Sequence, residues 1–404
     1  MSISSVPFRL SDKSERVSES ITLAITARAK ALKAAGKDVI AFTAGEPDLP
    51  VPESIQRAGI QAIQAGKGVY TNAAGIQELR QLAAERFRAM GLPSEANDVV
   101  ITPGAKSAIF LALYLLLNDG DEVVFPSPYW GSYSDMTLAA GGRPVPFATS
   151  ASEDFQPTAA ALRQVLSPRT RVIILNSPNN PTGTVYGRET LSEIAVVLRE
   201  HPEIVILSDD IYDTLIYTSE PFTNIALVAP DLVPRTLTIN SLSKSHSMTG
   251  WRIGYTTGPR VLTEGMARIQ SQIAGSPPAI SQYAALDAFR TPLDPSRLED
   301  LDQRRKLMMS ELARLPGMPC PEPRGAFYAF PSVAPWIGTW HGETRIDSAA
   351  VFAQLLLDHH LVATVSGEAF GVTDHIRLTY TIPSEAISQG IRRIGSFLSE
   401  LRPR

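Results

Sequence analysis

From Val99 to about residue 260, short apolar runs alternate with stretches that have helical character, and this alternation constrains the fold more than any other feature of the chain. Val99-Val-Ile-Thr102, Glu122-Val-Val-Phe125, Arg171-Val-Ile-Ile-Leu175, Ile204-Val-Ile-Leu207 and Thr236-Leu-Thr-Ile239 are continuously apolar and rich in β-branched residues. Strands buried on both faces read this way. Between them, Ser107 to Leu117 and Leu191 to Glu200 read as helices. The pattern predicts an α/β fold with a mostly parallel sheet covered by helices.

The flanks differ. Ser18 to Ala35 and Ile76 to Met90 read as helices, with Gly36 a stop signal and Val39-Ile-Ala-Phe-Thr43 a short strand. Beyond residue 295, a charged helix (Arg297 to Leu315) precedes Ala326-Phe-Tyr-Ala-Phe330, Leu361-Val-Ala-Thr-Val365 and His375-Ile-Arg-Leu-Thr-Tyr380, and a last helix covers Ser384 to Leu398. We therefore expect a large domain over 51–294 and a smaller α+β domain built from 1–50 and 295–404.

Composition narrows the function. Of 404 residues, 44% are hydrophobic and 19% charged, enough for a large core. A net charge of −4 argues against nucleic acid as the main partner. Cys320 is the single cysteine, so no intramolecular disulfide forms and a reducing compartment is expected. The polar stretch Met1 to Lys13 lacks the apolar core of a leader. The apolar run Ala108 to Leu117 is far shorter than the roughly 20 residues that span a bilayer. A cytoplasmic protein without membrane contact is the expectation.

In open parallel sheets, ligands bind beyond the carboxyl ends of the strands, and chemistry-bearing residues gather there. Lys244 lies in Asn240-Ser-Leu-Ser-Lys-Ser-His-Ser-Met-Thr-Gly-Trp-Arg-Ile-Gly254, at the mouth of the Thr236 strand. A lysine so placed can form a Schiff base with a carbonyl once its pKa is lowered. Ser241 and Arg252 flank it, a hydroxyl and a cation suited to a phosphate. A reactive amine beside a phosphate site points to pyridoxal phosphate. Pro103-Gly-Ala-Lys106, with Gly104 and Ala105, opens a helix whose amides suit a phosphate; a simple turn reads the same way. Trp130, in Pro126-Ser-Pro-Tyr-Trp130, can stack on a planar ring or pack internally. Asn180 lies in the rigid loop Asn176-Ser-Pro-Asn-Asn-Pro-Thr-Gly183. Asp209, in Ser208-Asp-Asp-Ile-Tyr212, is a strand-end carboxylate that needs a partner, for which a protonated pyridine nitrogen or a helix cap would serve. Arg377, among apolar neighbours, is either a carboxylate clamp or a surface residue.

Together these segments resemble the class I/II pyridoxal-phosphate aminotransferases of fold type I, and most closely the bacterial aspartate aminotransferase branch, over about Asp38 to Ile387. The specific stretches are Ala44-Gly-Glu-Pro-Asp48, Ser177-Pro-Asn-Asn-Pro-Thr-Gly183, Ser208-Asp-Asp-Ile-Tyr212, Ser243-Lys-Ser-His-Ser-Met-Thr-Gly-Trp-Arg-Ile-Gly-Tyr255 and His375-Ile-Arg-Leu-Thr-Tyr380. The resemblance implies pyridoxal 5′-phosphate held by Lys244, with Asp209 on the pyridine nitrogen. It implies Asn180 and Tyr212 on the ring's phenolic oxygen and Trp130 stacked on the ring. Ser241, Arg252 and the Gly104–Lys106 turn would hold the phosphate. Arg377 and Gly45 would bind the substrate α-carboxylate, with Trp130 and Asn180 alongside. Tyr70 would reach the partner subunit's site, which implies a homodimer. Lys106 would pair a distal carboxylate, favouring aspartate and 2-oxoglutarate as substrates. Gln272-Ile-Ala-Gly-Ser-Pro-Pro278 lacks the branch's small hydroxyl residues, which leaves prephenate, aromatic or other amino acids as alternatives, and lyase chemistry on the same fold as another.

Other classes fit less well. Ser241-Leu-Ser-Lys244 matches S-x-x-K, but it follows a strand and the accompanying S-D-N and K-T-G motifs are absent from the sequence. There is no G-x-G-x-x-G after a strand and no H-E-x-x-H, and the six histidines show no ligand spacing, so no metal is expected. A ligand-sensing transcription regulator would carry a basic helix-turn-helix segment, and none is seen.

Overall fold

The computed structural model describes residues 9–403. The polar N-terminal stretch, expected to carry no leader, lies outside the described residues as far as residue 8, as does Arg404. Seven strands form one sheet in the spatial order Val99–Thr102, Gly254–Thr257, Thr236–Ser241, Val205–Asp209, Thr170–Asn176, Glu122–Ser127, Arg143–Ala148. Gly254–Thr257 runs antiparallel to both of its neighbours, and every other pair is parallel. The protein is α/β with a mostly parallel, helix-covered sheet.

The strands are apolar throughout because both faces are covered. Val123, Phe125, Val172 and Ile174 pack on one side against Ile109 and Leu113 of the helix Ala105–Leu116. Val124, Ile173 and Leu175 point the other way, towards Leu191, Ile194 and Leu198 of Arg188–Arg199. The period of two along each strand feeds two cores. Trimming a fully buried residue such as Phe125 or Ile173 to alanine costs about 2–5 kcal/mol.

A second body of structure brings distant parts of the chain together. Ile40–Ala41 pairs in parallel with Val362–Ala363, and Val365–Ser366, Ile376–Thr379 and Tyr328–Ala329 form a three-stranded antiparallel sheet. Ile40 and Phe42 share a core with Met308, Phe327, Leu378 and Ile391. The N-terminal helix Ile21–Ala34 is capped by Ser20 and packs Ala29 against Leu357 and Ala363. It ends at Gly36, whose φ of 79° is the left-handed turn that glycine accepts without a steric cost.

Three departures from the sequence reading have physical causes. The run Leu361 to Val365, read as one strand, divides at Thr364 because its two halves pair with different partners. Arg143–Ala148 is a strand that patterning missed: Pro144 and Pro146 remove ladder donors, which only an edge strand tolerates. The strand Gly254–Thr257 was hidden in the polar run after Arg252; it is fully buried, with Thr256 and Thr257 inside the sheet.

Candidate active site

The carboxyl ends of Val99–Thr102, Glu122–Ser127, Thr170–Asn176, Val205–Asp209 and Thr236–Ser241 open onto one cavity of about 700 Å³. Its far wall comes from the small sheet and from Thr43 to Glu46.

Lys244 sits on a single helical turn, Leu242–Ser245, directly after its strand. Its Nζ donates to the carbonyl of Gly45 and lies 5.9 Å from the ring centre of Tyr212 and 5.8 Å from that of Phe327. Burial of the ammonium lowers its pKa to about 8, Arg377 and Arg252 push in the same direction, and Glu46 opposes them. The amine is therefore far more available as a nucleophile or base than a surface lysine.

Asp209 is buried at the end of its strand. The Tyr133 hydroxyl donates to Oδ2 at 2.5 Å, and the Asn176 amide donates to the Asp209 carbonyl at 2.9 Å. Oδ1 is buried without a partner. Desolvation raises the carboxyl pKa to about 6, against the pull of Tyr133, of the Ile211 backbone amide and of the Lys244 charge. A buried carboxylate with one committed and one free oxygen is prepared to accept a hydrogen bond from a cationic donor.

A cradle that could hold an anion lies at another part of the cavity wall. The helix Ala105–Leu116 begins there, and its first amides have no intrahelical acceptor. Gly104 precedes it with φ 85° and ψ 161°, a region open almost only to glycine. A Cβ on Gly104 would meet an Arg252 Nη at 2.2 Å, and one on Gly254 would meet the Ala105 nitrogen at 2.6 Å. Arg252 has a left-handed backbone, φ 57°, and its guanidinium donates to the carbonyls of Thr249 at 2.7 Å and Pro103 at 3.1 Å. The Ser241 oxygen lies 2.8 Å from both Ser243 Oγ and the Ile253 carbonyl. Lys106 projects over the Trp130 ring at 4.8 Å, and burial together with Arg252 lowers its pKa.

Arg377 is 2% exposed, on the strand Ile376–Thr379. Nη1 donates to Asn180 Oδ1 at 2.9 Å and Nη2 to the Thr43 carbonyl at 3.1 Å. Nε is buried with no partner, and the Tyr328 ring centre lies 4.4 Å from the guanidinium carbon. Burial lowers its pKa. Tyr212 is 3.0 Å, oxygen to oxygen, from Tyr328.

Of the residues singled out in the sequence, Tyr70 lies apart: it is 91% exposed and does not line this cavity. Gly104 stands behind the wall, as the cap of its helix. The others line the cavity together. Sequence reasoning missed Tyr133, Tyr328, Thr43 and the Asn176 side chain, which bonds the Asp209 carbonyl and the Asn180 amide. Tyr133 carried a weak signal, three residues after Trp130 at a strand end. Tyr328 carried none, because its contact with Tyr212 joins residues 116 apart in the chain.

A family profile described as aminotransferase class I and II matches residues 37–394. The aspartate/prephenate aminotransferase of Cereibacter sphaeroides is 42% identical over 97% of this chain and 99% of its own length. A crystal structure of the aspartate aminotransferase from Rhizobium meliloti superposes with a TM-score of 0.94 at 38% identity, covering 98% of this chain and all of that one. A structure of the Thermus thermophilus aspartate aminotransferase with maleate gives a TM-score of 0.88 at 35% identity, over 96% of this chain and 99% of that one.

Proposed function

Because the chain belongs to the class I and II aminotransferases, we propose that its cavity holds pyridoxal 5′-phosphate and exchanges an amino group between aspartate and 2-oxoglutarate, forming oxaloacetate and glutamate. One pairing supports this reading: Lys244, with its low-pKa amine, and Asp209, whose Oδ1 has no partner, line the same cavity.

The residues fit the group. Asp209 Oδ1 would accept a hydrogen bond from the ring nitrogen and hold its proton there. Asn180 and Tyr212 would hold the phenolic oxygen, and Trp130 would cover the ring. Ser241, Arg252 and the amides after Gly104 would hold the phosphate, where a Cβ at Gly104 or Gly254 would fill the cradle. Pyridoxal phosphate supplies an aldehyde for amine capture and a ring that takes up the electron pair left when a Cα proton departs. Lys244 Nζ would hold the group at rest and, once displaced by the substrate amine, move the Cα proton; Gly45, its carbonyl partner, steadies it. The free Nε of Arg377 and its Nη groups would bind the α-carboxylate beside Gly45. Lys106 would meet the distal carboxylate. Two half-reactions in one site give ping-pong kinetics.

Aspartate is favoured by Lys106 and by the maleate, a four-carbon dicarboxylate, in the similar Thermus enzyme. A second reading, amino transfer to or from prephenate or an aromatic acid, rests on the name of the Cereibacter relative and on the plain stretch at Ile273, Ala274 and Gly275. We take the active unit to be a homodimer. Tyr70, Val69 and Ile273 are exposed, and Tyr70 lies close to Gly275, so these residues form an edge suited to reaching a partner's site. Residues 51–294 are taken as the large domain, and 1–50 with 295–404 as the small one. Among the described residues no helix is long and apolar enough to cross a membrane; the lone Cys320 favours the cytoplasm.

The test is an absorbance spectrum of the purified protein before and after aspartate, then 2-oxoglutarate. A visible band lost with aspartate and restored by 2-oxoglutarate supports the reading. A band indifferent to aspartate but bleached by an aromatic donor moves the assignment to the second reading.

A further inference from the structure

Outside the cavity, three side chains from separate elements converge at one point of the small sheet's body. His341 ends the strand Trp340–His341, His360 ends the helix Ala349–His360, and Glu400 ends the helix Ser384–Glu400. His341 Nε2 lies 3.0 Å and His360 Nε2 3.1 Å from the same oxygen, Glu400 Oε2. All three donor atoms lie within 4.8 Å of one another. A tetrahedral cation with bonds of about 2.0–2.2 Å holds its donors roughly 3.4 Å apart, so only a small adjustment separates this cluster from a ligand set.

The surroundings favour a cation. Both helices point their carboxyl ends, the negative ends of their dipoles, at the cluster. The rings are held in place: Phe397 packs against His341 at 5.4 Å and His360 at 5.5 Å, and paired backbone bonds between Trp340 and Arg402 tie the His341 strand to the C-terminal segment. Two imidazoles and one carboxylate form a donor set that suits zinc and its neighbours better than calcium or magnesium, and it leaves a fourth position for water.

We propose that His341, His360 and Glu400 bind one zinc-class divalent cation, which clasps the strand at residue 341 to the ends of the two helices. Coordination requires each ring to carry its proton on Nδ1. The site is separate from the cavity around Lys244, and the proposal does not depend on the reaction assigned there.

Calorimetric titration of the purified full-length chain with zinc chloride tests it, with thermal melting alongside. The expected result is one zinc per chain and a raised melting temperature that EDTA reverses. Affinity should fall by at least about tenfold in His360→Gln and in Glu400→Gln. His201→Gln, which removes the imidazole 3.6 Å from Glu203, should change neither stoichiometry nor affinity. If a variant fails to fold, His341→Gln supplies the same reading. No zinc uptake by the unaltered chain, unchanged binding in the cluster variants, or loss of binding in His201→Gln would overturn the proposal.

Discussion

Tyr133 donates its hydroxyl to Oδ2 of Asp209 at 2.5 Å and leaves Oδ1 of that carboxylate buried and unpaired. The Tyr133 bond favours the charged form of Asp209, a residue that lines the cavity, and leaves its second oxygen uncommitted. Asp209→Ala removes the charge-assisted bond proposed for the ring nitrogen and is expected to lower kcat by at least about 100-fold. Tyr133→Phe removes a bond to a charged group worth about 1.5–3 kcal/mol and should lower kcat by roughly tenfold or more. Because Tyr133 lowers the Asp209 pKa, its removal should also shift the acid limb of the kcat profile upward. A Tyr133→Phe profile identical to the parent's would contradict this role.

Lys244 has its pKa lowered from 10.5 to about 8, so its neutral fraction is roughly a tenth at pH 7 and grows tenfold per unit below 8. Attachment of pyridoxal phosphate to the cofactor-free protein should therefore accelerate with pH up to about 8 and then level off. Trapping with borohydride followed by mass analysis reports it, and Lys244→Arg should gain no mass. A rate that keeps rising about tenfold per unit past pH 8, towards the ordinary 10.5, would exclude the lowered pKa.

Arg377 spends its Nη groups on Asn180 and Thr43 and keeps Nε free. Lysine cannot reproduce that planar fork. Arg377→Lys is expected to lower kcat/KM for every amino acid by about 10- to 100-fold, mostly through KM, since bonds to charged groups are worth about 1.5–3 kcal/mol. A loss confined to dicarboxylic substrates would show that Arg377 meets the wrong end of the substrate.

Gly104→Ala places a Cβ against Arg252 and strains a conformation that costs a side chain about 1–3 kcal/mol. Fluorescence titration with pyridoxal phosphate should show affinity weakened by about tenfold or more. Gly120→Ala is the control: its φ of 86° is equally left-handed, but no atom lies within 4 Å of the added carbon. Equal affinity in the two variants would show that the turn at Gly104 does not shape the phosphate site.

Lys106 lies over Trp130 with its charge partly desolvated, ready for an anionic partner. Lys106→Ala should raise KM for aspartate by about tenfold while changing KM for phenylalanine by less than about threefold, the separation expected of a single charge-assisted bond. Equal effects on both donors would place Lys106 on the phosphate alone.

Much of this protein was legible in its residue order. Asp209 closes a strand, and Lys244, Asn180 and Gly104 stand a few residues past one, so one local pattern, an apolar run and then a polar loop, identified both the element and the residue at its mouth. Gly104 also announced its turn, because only glycine accepts that backbone. What the order of residues left open was pairing. Tyr133 meets Asp209 across 76 residues, Arg377 meets Asn180 across 197, and Lys244 meets Gly45 across 199. His341 and His360 reach Glu400 across 59 and 40, spacings that follow no ligand motif. Such contacts depend on the spatial order of the strands and on where helices end, and those follow from how all the apolar faces are buried together. Hydrophobic periodicity is a property of neighbours along the chain, and it specified the elements. The uncommitted oxygen of Asp209 and the lowered pKa of Lys244 exist only once burial has brought distant segments into one low-dielectric space, and the histidine cluster exists only once two helix ends and a strand meet.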